Sequence, residues 1–363
     1  MHLGHHNTPT VHILRSLRRL FPDNDVTGAL DLIVIAGDLF DRLLNLPDDN
    51  VAEIKYWMKS FLSMCARRNI KVRVLEGTPS HDWKQNRLMV DVQLIGEIPV
   101  DLKYVDKLSV EIMSDWGISL LYIPDEWRPR CDDTWAEALV ALQQSGLEKV
   151  DFVVMHGAFH HQMPKNIHKQ LELHTAERYI SITNLAVYVG HVHQMSVYDD
   201  MIYSAGSTDR LTHGDEAPKG YWKGTFYPSG EKSLQFIENP NAMRYDTINC
   251  VGLVGDALNH AILEKVNTLP QGSHIRLKAT KADIAAQSIS VLETKYPGFH
   301  WTLKTVDGGG DAETPILMDT RPKFQGVSIS KENIVELLME RIAVKHPDHR
   351  LRCQTVLEEI IHG

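Results

Sequence analysis

Four short apolar runs, each followed at once by a polar segment that contains glycine, dominate the first 200 residues of the chain. They occupy residues 31–36, 70–75, 152–155 and 186–189. Apolar runs of this length are typical of strands that are buried on both faces of a sheet. Amphipathic stretches with helical spacing, such as residues 51–68, lie between them. Strands that alternate with helices predict an α/β domain built in layers.

The sequence around these strands supports the same interpretation. Thr8 and Pro9 have the order of a helix N-cap followed by a proline at the first helical position. A further buried strand is expected at residues 119–123. An amphipathic helix that begins near Trp135 should end before Gly146.

The pattern changes after residue 200. Residues 201–239 contain shorter apolar runs and the turn sequence Pro228-Ser-Gly230, which predict a hairpin that closes the sheet. Residues 243–306 have the order strand, helix, strand, helix, strand, which is typical of a small α+β unit. Apolar residues at helical spacing, including Ile334 and Leu338, predict two helices near the end of the chain.

These changes predict four segments. They are a main domain at residues 1–242, a small α+β domain at 243–306, a linker with three consecutive glycines at 307–326, and C-terminal helices at 327–363.

The bulk composition restricts the class of protein. The sequence contains no run of about 18 apolar residues, so no membrane partner is expected. The four cysteines are far apart and form no CxxC pair, which favours a reduced cytoplasmic setting. The formal net charge of -9 argues against a broad nucleic-acid surface. A cluster of divalent cations can nevertheless supply positive charge locally.

Histidine and aspartate recur in five short segments, four of which directly follow the apolar runs. The segments are His2-Leu-Gly-His5, Gly37-Asp-Leu-Phe-Asp41, Gly77-Thr-Pro-Ser-His-Asp82, Met155-His-Gly157 and Gly190-His-Val-His193. Functional residues of open α/β sheets gather at the carboxyl ends of strands, so we expect these side chains to meet. Imidazole nitrogen and carboxylate oxygen together suit manganese, iron or zinc. Two such ions can clamp a phosphoryl group during in-line displacement.

The order GDxxD, G…HD, HG, GHxH resembles that of the calcineurin-like metallophosphoesterases, and the similarity covers about residues 2–195. Residues 203–210, followed by Glu216 and Lys219-Gly220, are similar to the segment that follows GHxH in the SbcD-type nuclease subunit of SbcCD complexes. The resemblance implies a β-sandwich flanked by helices, with a small α+β domain and C-terminal helices. It also implies two divalent ions, with Mn²⁺ expected first, and a DNA exonuclease and endonuclease activity.

The resemblance implies partners as well. They are DNA and an SbcC-type SMC-like ATPase, which the C-terminal helices at 327–363 would contact. A homodimer is also compatible with the family.

The resemblance also assigns roles to individual residues. Asp38 would bridge the two metals, with His2 and His193 at the first metal and His156 and His191 at the second.

The resemblance assigns two further residues to the cleavage step. His81 would lie over the scissile phosphate and assist departure of the leaving oxygen, and Asp82 would orient His81. Asp41 is expected to support its loop.

The sequence departs from the family in two places. The residue before the catalytic histidine is Ser80 instead of asparagine, so either Ser80 is a weak metal ligand or water takes that position. The family also opens with a strand that ends in Asp-x-His, whereas only Met1 precedes His2. We expect the sequence to begin inside that motif and to lack the first strand. The alternative is a lost ligand and a degenerate metal site.

Two other functions remain open on these residues. One is a non-catalytic subunit that binds DNA or the ATPase and has a degenerate metal site. The other is a phosphodiesterase or phosphatase that acts on small molecules. The small domain and the C-terminal helices argue against the latter, because a small-molecule enzyme does not need them.

Overall fold

A mixed α/β architecture forms the described part of the chain. The computed structural model describes residues 1–45, 48–125, 130–166, 171–283 and 289–306. The chain divides into two compact units, Met1–Thr320 and Arg321–Gly363, and all described residues belong to the first. The predicted linker and C-terminal helices therefore lie outside the described residues.

Eight α-helices are present in these ranges. They are α1 (Thr10–Leu20), α2 (Asp25–Gly28), α3 (Asn50–Arg68), α4 (Leu88–Ile95), α5 (Cys131–Gln144), α6 (Ala176–Ser181), α7 (Gly255–Thr268) and α8 (Ile289–Lys295). The same ranges contain fourteen strands. They are β1 (Leu32–Ile35), β2 (Lys71–Leu75), β3 (Leu102–Val105), β4 (Ser109–Met113), β5 (Ile118–Ile123), β6 (Val150–His156), β7 (Thr183–Gly190), β8 (Ser196–Tyr198), β9 (Ile202–Ser204), β10 (Gly220–Phe226), β11 (Lys232–Glu238), β12 (Tyr245–Asn249), β13 (His274–Ala279) and β14 (His300–Thr305).

The nine described strands within residues 32–204 form two sheets. The first has the order β1-β2-β3 and is parallel throughout. The second has the order β4-β5-β6-β7-β9-β8. Its strands β5, β6, β7 and β9 are parallel, and the outer strands β4 and β8 pair antiparallel to them. The four apolar runs of the sequence are confirmed as β1, β2, β6 and β7, all of which are parallel strands.

The two sheets face each other across a shared apolar cluster. Leu75 and Val105 of the first sheet pack with Leu120, Tyr122 and Phe152 of the second. Helices α1, α3 and α4 cover the other face of the first sheet, and α5 and α6 cover the other face of the second. The packing order is therefore helix, sheet, sheet, helix, which confirms a layered α/β fold.

Two expectations about local structure were wrong. Helix α1 begins at Thr10 after Pro9, so Thr8 is not its cap. The Thr8 hydroxyl is engaged elsewhere, because it donates to the Arg210 carbonyl at 2.8 Å and lies 2.8 Å from the Tyr245 hydroxyl.

The predicted hairpin does exist as β10 and β11, but these strands pair only with each other among the described strands. The hairpin therefore does not close a sheet. It lays Trp222 and Phe226 against the cluster between the two sheets.

Residues 243–306 form β12, α7, β13, α8 and β14 in that order, as the sequence predicts. The three strands make a parallel sheet of their own, with a separate apolar core against both helices. The unit is joined to the rest by Asp209, whose Oδ1 accepts from the Met243 amide at 2.6 Å. The Asp209 Oδ2 lies 3.3 Å from His12 Nε2 on α1. The boundary at residue 242 stays a prediction.

None of the helices in the described ranges has the length and apolarity needed to cross a bilayer.

A buried ion pair ties the two large sheets together. Arg73 on β2 is only 3% exposed, and its guanidinium donates two hydrogen bonds of 3.0 Å to the carboxylate of Glu111 on β4. The Tyr122 hydroxyl donates to the same carboxylate at 2.7 Å. Burial alone raises the pKa of Glu111, but Arg73 and Tyr122 outweigh it and lower that pKa. The pair therefore remains charged at neutral pH.

We expect Arg73→Met to lower the free energy of unfolding by about 3 kcal/mol, because it leaves Glu111 without its buried partner. Urea unfolding measures this loss. The control is Arg130→Met, which removes an exposed pair with Asp133 and should cost far less, because solvent screens such a pair. The double variant Arg73→Met/Glu111→Leu should recover most of the loss. Equal losses of stability in Arg73→Met and Arg130→Met would contradict a buried ion pair between Arg73 and Glu111.

Candidate metal centre

The loops that follow β1, β2, β6 and β7 meet at the carboxyl ends of these strands. Their approach is so close that two positions admit only glycine. A Cβ at Gly77 would lie 2.1 Å from the Asp38 amide nitrogen and 2.5 Å from its Oδ1. A Cβ at Gly37 would lie 2.3 Å from Nδ1 of His156, and Gly37 has a φ of +81°. The glycines of the sequence segments thus bring the polar side chains together.

One group of four side chains has the spacing of ligands around one ion. Thr78 Oγ1 lies 3.2 Å from both His156 Nε2 and His191 Nδ1, and these two nitrogens are 3.2 Å apart. Asp38 Oδ1 lies 3.3 Å from His156 Nε2, and Asp38 Oδ2 lies 3.4 Å from Thr78 Oγ1. Atoms bonded at roughly 2.1 Å to a common ion lie about 3.0–3.4 Å from one another. We call these four residues the tight group, and their spacing fits a divalent cation.

The backbone fixes the orientation of the tight group. His156 Nδ1 lies 2.7 Å from the Ala36 carbonyl, which can only accept, so Nδ1 carries the hydrogen and Nε2 faces the group. This arrangement is common for histidines that bind metals. The Thr78 amide donates to Asp38 Oδ1 at 2.7 Å. Burial lowers the pKa of His156, but the Asp38 carboxylate outweighs it and raises that pKa to about 9.

The hydroxyl beside the two histidines of the tight group is that of Thr78, whereas the sequence left either Ser80 or water for that position. Ser80 is exposed, whereas Thr78 follows Gly77 directly and reaches the two histidines. Gly77 is the residue of this loop that packs against Asp38, so the residue that follows it, Thr78, is the one brought to the histidines.

A second set of side chains, His2 and His193 with the other oxygen of Asp38, is spaced more widely. We call it the loose group, and His81 lies at its edge. Asp38 Oδ2 is 3.9 Å from His2 Nε2, and the ring of His2 has its centroid 4.5 Å from that of His193 and 5.2 Å from that of His81. Ligand atoms of His2, Asp38 and His81 lie within 4.8 Å of one another. His81 thus belongs to the same set of closely spaced ligand atoms as His2, although the resemblance gives it no metal.

The electrostatics of the loose group favour neutral imidazoles. Burial lowers the pKa of His2 to about 4, and burial also holds the pKa of His193 well below its usual value. Neutral histidine is the form that binds metals. Asp41 Oδ1 lies 3.3 Å from Nδ1 of His2, on the far side of the ring from Asp38. Asp41 thus lies beside His2, and its role in supporting the loop stays a prediction.

Asp82 holds two loops together. Its Oδ1 accepts from the Phe40 amide at 2.9 Å, and its Oδ2 accepts from the Gly77 amide at 2.8 Å and from Asn86 Nδ2 at 2.7 Å. Asp82 is fully buried, and burial raises its pKa to about 7. These bonds join the loop after β1 to the loop after β2. That Asp82 also orients His81 stays a prediction.

A third set of His and Asp side chains was not anticipated from the sequence. His5, His6 and Asp41 place ligand atoms within 4.8 Å of one another. However, His5 Nδ1 accepts from the amides of Asn7 and Thr8 at 3.2 and 3.1 Å. That nitrogen is thus occupied in shaping the turn before α1. The consecutive histidines at 5 and 6 were the only sequence signal for this set.

Three residues of the tight and loose groups have a backbone conformation that is uncommon for side chains larger than glycine. The φ angles are +59° at His2, +48° at Asp38 and +101° at His191. Non-glycine residues with positive φ are concentrated at functional sites, where the surrounding structure imposes the strain. The backbone and the side-chain chemistry therefore point to the same site.

Comparison with known proteins adds no assignment, since no family model matches the chain and a search of curated proteins finds no match.

We expect Asp82→Ala to lower the free energy of unfolding by about 3 kcal/mol or more, because two buried amides and one side-chain amide lose their acceptor. Urea unfolding in the presence of chelator measures this loss without any contribution from metal. The control is Asp132→Ala on α5, whose exposed pair with Arg178 should be worth less than about 1 kcal/mol. A loss at Asp82 as small as that at Asp132 would contradict the bracing role.

Proposed function

We propose that the chain is a metal-dependent phosphodiesterase that hydrolyses DNA as the nuclease subunit of an SbcCD-type complex. The observation that carries the proposal is the position of Asp38 between the tight group and the loose group. A carboxylate shared by two histidine-bearing sites is the arrangement that a two-metal hydrolase requires. Manganese is the ion we expect first, because mixed nitrogen and oxygen ligands suit it.

Each group of residues has a defined task in this proposal. Asp38, Thr78, His156 and His191 would hold one ion, and Asp38, His2 and His193 would hold the other. The ions would supply an activated water and neutralise charge on the phosphate. The Ala36 carbonyl fixes the ring of His156 by hydrogen bonding, and the Asp41 carboxylate lies 3.3 Å from Nδ1 of His2.

His81 is the residue we assign to the phosphate itself. It is 3% exposed and lies beside His2 at the edge of the loose group. A protonated imidazole there would stabilise the charge that develops on the phosphate and donate a proton to the leaving oxygen. Such positioned acids contribute on the order of 10²–10⁴ in rate.

The choice of DNA rests on the resemblance of residues 203–220 and on the small α+β unit. Together with the metal centre, these features favour a polymer substrate over a small molecule. The chain's net charge of -9 fits a substrate that is held mainly at the metals instead of on a broad basic surface. The ATPase partner is proposed on the resemblance alone.

A non-catalytic binding subunit is the second candidate. The looseness of the second group favours it, since Asp38 Oδ2 and His2 Nε2 are 3.9 Å apart while the tight group has spacings of 3.2–3.4 Å. A subunit of this kind would bind one ion and cleave nothing.

The first test is cleavage of linear DNA with Mn²⁺, with chelator, and by Asp38→Asn. We expect cleavage only by the unaltered chain with Mn²⁺, because Asp38 serves both groups. Isothermal titration should find two Mn²⁺ ions for the unaltered chain. Equal cleavage with chelator would refute the metal mechanism, and one bound ion without cleavage would support the binding subunit.

The second test concerns His81. We expect His81→Ala to bind two Mn²⁺ ions but to lose cleavage by about 10²-fold or more, because His81 is assigned to the phosphate. Metal content is measured on the same samples as activity, with exposed His260 on α7 replaced by alanine as the control. Loss of one ion in parallel with activity would instead make His81 a ligand, as its position near His2 permits.

The third test concerns Thr78. We expect Thr78→Val to weaken Mn²⁺ binding at one of two sites, whereas Thr78→Ser should retain it because the hydroxyl is kept. The two variants differ chiefly in that oxygen, so a titration of both isolates its contribution. If valine and serine bind Mn²⁺ alike, Thr78 fills space beside the ligands and is not one of them.

A further inference from the structure

Lys219 is a fully buried lysine that contacts the backbone of the metal centre. It is 0% exposed and lies immediately before β10. Its Nζ donates to the carbonyl oxygen of His193 at 2.7 Å and forms an ion pair with Asp215, four residues earlier. Burying an ammonium group is costly unless it is paired and hydrogen-bonded. A lysine at this position therefore calls for an explanation.

The bond to His193 does not depend on whether the pair is charged. Burial lowers the pKa of Lys219 and raises the pKa of Asp215, while each partner opposes the effect on the other. An amine and an ammonium both carry N–H groups. Lys219 can thus donate to the His193 carbonyl in either state, so this hydrogen bond does not depend on the protonation of Lys219.

The same loop also contacts the end of β9 and the residues that follow it. A Cβ at Gly206 would lie 2.8 Å from the His193 carbonyl oxygen, so the backbone of Gly206 rests against it. The Ser204 hydroxyl donates to the Gln194 carbonyl at 3.3 Å. The Trp222 indole in turn donates to the Ser204 carbonyl at 2.9 Å. The backbone at residues 193–194 is therefore contacted both by Lys219 and by residues 204–206.

We propose that Lys219, held by Asp215, is a positioning residue that fixes His193 for the loose group. The inference rests on the proposed function, since it assumes that the loose group takes an ion. His193 contributes its ring beside His2, with 4.5 Å between centroids. The tight group is fixed by other bonds, among them the one from His156 to Ala36. Loss of Lys219 should therefore weaken one ion site and spare the other.

A purely structural role is the alternative, and a pair of variants separates the two. Lys219→Met leaves Asp215 buried without its partner, so it should destabilise the fold. Lys219→Met/Asp215→Leu removes both charges, and apolar replacement of a buried pair often restores stability. Neither variant restores the bond to His193. A positioning role predicts that Mn²⁺ binding at one site stays weakened in the double variant. A structural role predicts that this binding recovers together with the stability.

The experiment is a two-site Mn²⁺ titration of the full chain, with melting in chelator measured in parallel. We expect the double variant to melt near the unaltered chain yet to bind one of its two ions at least tenfold more weakly, the lower end of effects for groups that orient ligands. The matched control is Lys232→Met, since Lys232 also donates to a backbone carbonyl, that of Leu185 at 3.3 Å, and pairs with Asp200. Its Mn²⁺ binding should be unchanged.

Histidine side-chain NMR in chelator gives a readout that needs no metal. The ring signals of His193 should shift or broaden in the double variant, while those of His156 stay in place. Unaltered His193 signals, or two unaltered Mn²⁺ affinities, would overturn the positioning role. If the unaltered chain binds no Mn²⁺ at all, the proposed function fails, and the NMR comparison still decides whether Lys219 positions His193.

Discussion

The carboxylate of Asp38 is the point on which the site depends. It lies just beyond β1, and its two oxygens face different histidines, His156 at 3.3 Å and His2 at 3.9 Å. Burial by itself raises the pKa of Asp38, but its neighbours, His156 above all, lower it well below its usual value. A buried negative charge of this kind requires cationic neighbours. The arrangement of the loops around it follows from that requirement.

Much of this arrangement could be predicted from the sequence because it depends on local patterns. A strand buried on both faces is a continuous apolar run, so β1, β2, β6 and β7 could be located without a structure. The carboxyl ends of parallel strands lie on one edge, so the segments after them had to meet. Histidines and aspartates of those segments do lie close together, as that rule predicts, whereas the assignment of each to a metal stays a prediction.

The remaining features depend on contacts that no local pattern records. Thr78, and not Ser80, reaches the two histidines because the loop passes closest to Asp38 at Gly77, where any side chain would collide with Asp38. Strand β4 escaped notice because it is an edge strand whose residues are mostly only half-buried, and with it the cross-sheet partner of Arg73 was missed. Thr8 looked like a helix cap from its neighbours, yet its hydroxyl is engaged by residues more than 200 positions away.

The contacts of Thr8 have a further consequence. One end of the segment from His2 to Thr8 carries a histidine of the loose group, and the other end is fastened to Tyr245 at the start of the small unit. A segment of seven residues is too short to absorb much displacement. A ligand that displaced the small unit would therefore strain the segment from His2 to Thr8. That strain would change the free energy of the His2 conformation. Thermodynamic reciprocity then requires that occupancy at His2 change the affinity for such a ligand by an equal factor.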